Sequence, residues 1–222
     1  MTSYRIAVIG GTGPQGKGLA YRFARHGHTV VLGSRSAERA EAAAAEIRER
    51  VPSGEVSGAG NVDAAAAAEV VLLAVPYDGH DELVDDLAPV LEGRTVISCV
   101  NPLGFDKQGP YGLDVQGGSA AESAARIVPE ATVVGAFHHV SAVTLWGDAE
   151  YLDHEDVLVC GDDKDAKQVA IELARTVTGR DGVDAGRLRL ARQLEPLTAV
   201  LISINKRYKT RSGIAISGIP SA

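Results

Sequence analysis

Apolar residues gather in short runs separated by longer amphipathic stretches. Runs of strand length fall at residues 5–9, 29–33, 70–75, 95–99 and 132–137, the first of them reading Arg5-Ile6-Ala7-Val8-Ile9. The first four are rich in Val, Ile and Leu on both faces, as strands covered by helices above and below are. Helical patterns lie between them, from Lys17 to Arg25, Ala37 to Arg50 and His80 to Leu91, with Ala-rich faces that let helix and sheet approach closely. The short run Ala64 to Ala68 also reads as helix. Alternating strand and helix predicts an α/β fold with a doubly wound parallel sheet over residues 1–145. A smaller α/β domain is expected over residues 146–222, with a strand from Asp156 to Cys160, a helix from Asp165 to Thr178 and a long helix from about Leu190 to Tyr208. That last helix is apolar on most sides, at Leu194, Leu197, Val200, Leu201, Ile202 and Ile204, so it is expected to pack on the other domain or on a second subunit of a homodimer.

Directly after the first strand and directly before the first helix stands Gly11-Thr12-Gly13-Pro14-Gln15-Gly16. In that context the G-x-G-x-x-G spacing is a Rossmann dinucleotide fingerprint. Gly11 is suited to the tight turn, Gly13 to close approach of the backbone to a pyrophosphate, and Gly16 to helix–sheet packing, while the helix N-terminus offers free N–H groups to the anion.

The second strand ends in Gly33-Ser34-Arg35. An NAD site usually carries an acid here for the ribose hydroxyls, and none is present. Ser34 offers a hydroxyl, Arg35 a planar fork of donors, and Arg39 lies one helical turn further on, a set suited to the 2′-phosphate of NADP(H). The alternative for Arg35 is a surface ion pair with Glu38 or Glu41.

Composition narrows the partners. With 222 residues, 45% of them apolar, the chain can build a real core, and its net charge of −7 argues against nucleic acid or an anionic membrane as partner. Small-molecule redox cofactors are expected instead. Cys99 and Cys160 stand far apart with no C-x-x-C pair, which suggests neither a disulfide framework nor a zinc site. No metal is expected at Gly161-Asp162-Asp163 either, since a strand end followed by a helix cap explains those residues. Without a leader pattern or an apolar stretch of membrane-spanning length, a cytoplasmic location is expected.

The second reactant is expected beyond the carboxyl ends of the later strands, where Val75-Pro76 (after Ala74), Val100-Asn101-Pro102 and Ala136-Phe137-His138-His139 are the candidate walls. Of the titratable groups only His138 and His139 stand near a strand end, and His138 is the one candidate acid–base residue; packing or substrate contact is the competing reading. No Tyr-x-x-x-Lys pair polarises a carbonyl, and hydride transfer between two flat rings would need none.

Several stretches together resemble the F420-dependent NADP oxidoreductases. They are Gly11 to Ala20; Gly27-His28 with Val30 to Arg35; Ser119-Ala120-Ala121-Glu122; Val159-Cys160-Gly161-Asp162-Asp163; Asp184-Ala185-Gly186 with Leu188; and Glu195-Pro196-Leu197-Thr198. The resemblance implies reversible hydride transfer between C4 of NADP(H) and C5 of the 8-hydroxy-5-deazaflavin coenzyme F420. It also implies a homodimer, contact of Thr12 and the glycine loop with the dinucleotide, a 2′-phosphate held by Ser34, Arg35 and Arg39, backbone from Val140 to Ala142 against the nicotinamide, and a deazaflavin stacked on that ring in a cleft which residues 146–222 help to form. Ser141 stands where archaeal members carry proline. F420 bears a phosphate and a glutamate tail, which Lys206, Arg207, Lys209 and Arg211 could attract; a solvated helix end explains the same cations. Two other functions remain open on the residues alone, an NADPH-dependent reductase of an imine, flavin or ferric chelate, and a non-catalytic NADP(H) sensor.

Overall fold

A computed structural model describes residues 2–219. Its elements are β1 (Arg5–Ile9), α1 (Pro14–Arg25), β2 (Thr29–Ser34), α2 (Ala37–Arg50), β3 (Val56–Gly60), α3 (Asn61–Ala66), β4 (Val70–Leu73), α4 (His80–Leu91) and β5 (Thr95–Ser98). There follow β6 (Leu103–Asp106), β7 (Gly109–Gly112), α5 (Ala120–Ile127), β8 (Thr132–Gly135), α6 (Ala142–Leu145), β9 (Leu158–Gly161), α7 (Lys164–Thr178), β10 (Val183–Gly186) and α8 (Ala191–Tyr208).

Eight strands make one sheet in the order β10-β9-β8-β5-β4-β1-β2-β3, and β6 and β7 form a separate antiparallel hairpin. From β3 to β8 every pairing is parallel, the Rossmann order with its switch point between β1 and β4. β9 then joins β8 antiparallel and β10 runs parallel to β9. The strands after residue 145 therefore extend the first sheet, where a domain of their own had been expected.

Alternation along each strand divides the core into two layers. In β1, Ile6 and Val8 pack with Leu19, Phe23, Leu32 and Leu173 on the α1, α2 and α7 side. Ala7 and Ile9 pack with Ala64, Val84, Leu87 and Leu91 on the α3 and α4 side. α1 starts at Pro14, three residues before the expected Lys17, because proline is preset for the first helical position and its missing N–H is no loss there. Asp163 caps α7 by accepting from the Ala166 N–H at 2.9 Å, the role expected for that acidic strand end.

Two polar contacts settle where the later segments lie. Glu195 of α8 accepts from the N–H groups of Ala120 (2.9 Å) and Ala121 (3.0 Å), filling the open N-terminus of α5, and burial pushes its carboxyl up to about 7 against those two bonds. Ser119 caps the same helix end by accepting from the Glu122 N–H at 3.0 Å while its hydroxyl donates to the Glu122 carboxylate at 2.9 Å, and Arg192 pairs with Glu122 at 2.7 Å. On the other side of the sheet the fully buried Arg22 of α1 donates to the carbonyls of Thr144, Leu145, Gly147, Ala149 and Glu150, at 2.6–3.3 Å. Carbonyl oxygens alone satisfy this guanidinium, and in return it fixes the loop that follows α6.

Arg22→Leu should keep the packing of the side chain's stem and strand the five carbonyls, at a cost of about 3–5 kcal/mol in urea unfolding. A midpoint unchanged from the parent would mean that the loop holds itself.

Candidate active site

Beyond Ile9 the chain reverses at Gly10, whose φ of +81° lies in the left-handed region and where a Cβ would stand 2.5 Å from the Ala74 carbonyl oxygen. The tight turn expected of Gly11 thus falls one residue earlier. Gly10 N–H donates to the Gly33 carbonyl and Gly11 N–H to those of Val8 and Gly33, which stitches the loop to the ends of β1 and β2. Gly16 does bring helix and loop together, since a Cβ there would stand 2.7 Å from the Gly10 oxygen. Among the described residues the N–H groups of Thr12, Gln15 and Gly16 have no acceptor. These donors at the start of a twelve-residue helix form a cradle for a pyrophosphate.

Ser34 closes β2, and Ser36 caps α2 by accepting from the Arg39 N–H at 3.3 Å. The carboxylates that could have neutralised Arg35 are engaged elsewhere. Glu38 accepts from the Ser36 hydroxyl at 2.6 Å, while Glu41 holds Arg48 at 2.6 Å and the Gly58 N–H at 2.8 Å. Arg35 and Arg39 are exposed and, among the described residues, in no ion pair. Both are left available to an anionic group beyond the end of β2.

From the glycine loop a cleft of about 480 Å³ runs across the carboxyl ends of β4, β5 and β8 to the face of α8. Of the residues expected there, Gly13, Pro14, Gln15, Val75, Pro76, Asn101, His138, Val140 and Ala142 line it. Gly11, Thr12, Gly16, Ser34, Arg35 and Arg39 are not part of this lining. Val100 and Pro102 are buried and outside it, and Val100 belongs to the opposite core layer. Alternation past the end of β5 turns Cys99 and Asn101 toward the cleft and the residue between them away.

The wall made by residues 137–142 is irregular backbone held by side chains. Gln15 Nε2 donates to the Val140 carbonyl at 3.2 Å and reaches that of Phe137 at 3.4 Å, while Asn101 Nδ2 and Thr198 Oγ1 both donate to the His138 carbonyl at 3.0 Å. Phe137 itself sits at φ +63°, a strained setting for a bulky residue, and is fully packed, edge-on to Phe23 at 5.9 Å.

The titratable groups of the lining are Cys99, His138 and His139. Burial drives His138 down to about 3, with the neighbouring His139 adding to the shift, and its two ring nitrogens have no partner among the described residues. Its Nε2 lies against Gly135 beside Cys160, on the layer away from Cys99. His139 is lowered by burial too, and its Nε2 donates to the Leu194 carbonyl at 2.7 Å. Cys99 is pushed up to about 12 by burial, its thiol donating to the Leu73 carbonyl at 3.3 Å. All three are neutral at neutral pH, which turns His138 from a candidate acid–base residue into a packed one.

Residues 146–222 do contribute to the cleft, through an α8 wall of Thr198, Leu201, Ile202 and Asn205 together with Ser212; neither these residues nor Leu103 are singled out as site residues by the sequence. The signal of the wall is the placing of polar Thr198 and Asn205 at helical spacing within an otherwise apolar helix.

Sheet order and the glycine turn between β1 and α1 define a Rossmann-class protein with the architecture of dinucleotide-dependent enzymes. A family model described as NADP oxidoreductase coenzyme F420-dependent matches residues 5–102. F420-dependent NADP reductase of Methanothermobacter thermautotrophicus is 40% identical over 224 residues, covering 97% of this chain and 96% of that protein. The enzyme of the same name from Methanocaldococcus jannaschii is 37% identical, with 97% and 99% covered. The crystal structure of a putative F420-dependent NADP-reductase from Arthrobacter sp. FB24 superposes with a TM-score of 0.77 at 30% identity, covering 96% of this chain and 100% of that one. The chain belongs to the F420-dependent NADP reductase family.

Arg35→Ala should raise the Michaelis constant for NADPH by about 10- to 100-fold, the equivalent of one charge-assisted bond, and leave that for NADH within about twofold. Equal effects on the two nucleotides would remove Arg35 from the 2′-phosphate site.

Proposed function

We propose that this chain catalyses reversible, direct hydride transfer between NADP(H) and coenzyme F420. The observation that carries the reading is a cleft whose titratable side chains are all held neutral, His138 near 3 and Cys99 near 12. Such a site is suited to a reaction that moves a hydride directly between two rings, the proton that completes the reduced deazaflavin coming from solvent and not from a side chain of the cleft. A carbon at ring position 5 makes the deazaflavin a two-electron carrier, like nicotinamide. The names of the relatives point the same way.

In this reading the Thr12, Gln15 and Gly16 N–H groups hold the pyrophosphate, with Gly11, Gly13 and Pro14 shaping the loop around it. Ser34, Arg35 and Arg39 bind the 2′-phosphate. Val140 to Ala142 form the shelf for the nicotinamide, kept in place by Gln15, Asn101 and Thr198. Val75 and Pro76 flank the reacting rings. The segment 146–222 contributes the α8 wall, against which the deazaflavin packs. The outer side of α8 leaves Val200, Ile204 and Tyr208 exposed, an apolar stripe suited to a homodimer contact that sedimentation at micromolar concentration would reveal.

Mixing the protein with F420 and NADPH deuterated on one or the other face of C4 tests the reaction. Loss of deazaflavin absorbance, with deuterium from one face only arriving at C5 and none in solvent, is the expected outcome. Turnover confined to another acceptor, binding without turnover, or washout of the label into water would contradict it.

A further inference from the structure

We propose that the basic turn at the end of α8 binds the anionic arm of the second hydride carrier, the phosphate and glutamate tail that F420 bears outside its ring. This rests on the F420 reading above. Asn205 and Ser212 both line the cleft, and they are tied together, the Ser212 N–H and hydroxyl donating to Asn205 Oδ1 at 2.6 and 2.8 Å. Between them the chain reverses at Lys209, whose φ is +52°, and the Thr210 N–H returns to the Asn205 carbonyl. Lys206, Arg207, Lys209 and Arg211 are therefore confined to a short turn whose two ends are part of the cleft. All are exposed, and among the described residues none is in an ion pair.

The far end of the cleft has the opposite charge. Past Pro76, Asn101 and Leu103 it continues into a recess of about 700 Å³ lined by Tyr77, Phe105 and Leu113 and bearing Asp78, Asp81 and Glu82. In a chain of net charge −7, a multiply charged anion is repelled from that end and drawn to the four cations at the other. The polarity sets direction as well as affinity. An aromatic ring enters between Pro76 and the α8 face, and its arm leaves over residues 206–211. Each exposed charge contributes little alone, whereas four acting on one polyanion make a salt-sensitive contact.

Equilibrium titration followed by deazaflavin fluorescence tests this with two probes, F420 and the same ring lacking phosphate and glutamates. Between about 20 and 300 mM salt, the affinity for F420 should fall about tenfold and that for the bare ring by less than about twofold. The combined substitution Lys206→Gln, Arg207→Gln, Lys209→Gln and Arg211→Gln should weaken F420 by about tenfold at low salt, abolish the salt response and spare the bare ring and NADPH. Equal, salt-insensitive affinities of the two probes for the parent protein would leave these cations as a solvated helix end and overturn the site while the F420 reading stands. A salt response that persists in the variant would overturn it as well. Failure of both probes to bind the parent would overturn the F420 reading itself.

Discussion

Irregular backbone can be buried only where its polar groups find partners, and between Phe137 and Glu150 the structure meets that requirement with side chains sent from neighbouring helices. Gln15 of α1 serves the carbonyls of Phe137 and Val140, and Arg22, two turns further along the same helix, serves five between Thr144 and Glu150. Asn101 and Thr198 converge on His138 from the other side. One helix therefore both starts at the glycine loop and fixes the 137–150 backbone that walls the cleft. In the proposed reading, the phosphate and ring sites are held in register by the rigidity of a single α1.

The last helix reaches the cleft through a similar device. Its buried Glu195 occupies the N-terminus of α5, and this anchor turns Thr198 and Asn205 inward while Val200 and Tyr208 stay outside. Two segments far apart in sequence, Ser119–Glu122 and Glu195–Thr198, are thereby in direct contact. Charge is spent sparingly inside. The cleft's own titratable groups are neutral, and cations that have no ion pair among the described residues stand at its periphery, at Arg35 and Arg39 and again beyond Asn205.

Much of this was legible in the sequence. Strands buried on both faces announce themselves as Val, Ile and Leu runs, which is why β1, β2, β4, β5 and β8 were readable, and α2 and α4 were read to the residue. β3 was not, because Val56-Ser57-Gly58-Ala59-Gly60 is made of small residues that let α2 come close and show no apolar run. The hairpin of β6 and β7 and the edge strand β10 are short, Gly-containing and partly exposed, and edge pairing leaves no periodicity to detect. Continuity of the sheet through β9 and β10 depends on long-range pairing, which composition does not encode. In the proposed site, the glycine-rich turn between β1 and α1 and the strand end at Ser34-Arg35 stand out by local spacing alone. The fate of His138 does not, since its neutrality comes from burial by residues distant in the chain.

In the proposed reaction, positioning, and not proton transfer by a side chain, performs the chemistry of this cleft. Single-turnover stopped-flow measurement of deazaflavin reduction by NADPH across roughly pH 5.5–8.5, which lies inside the interval between the displaced histidine and thiol values, tests it most directly. The same observed rate constant in the parent protein and in His138→Gln at every pH is the result predicted. A titration within that range that vanishes in His138→Gln would contradict it, because it would mean that the buried imidazole exchanges a proton during turnover.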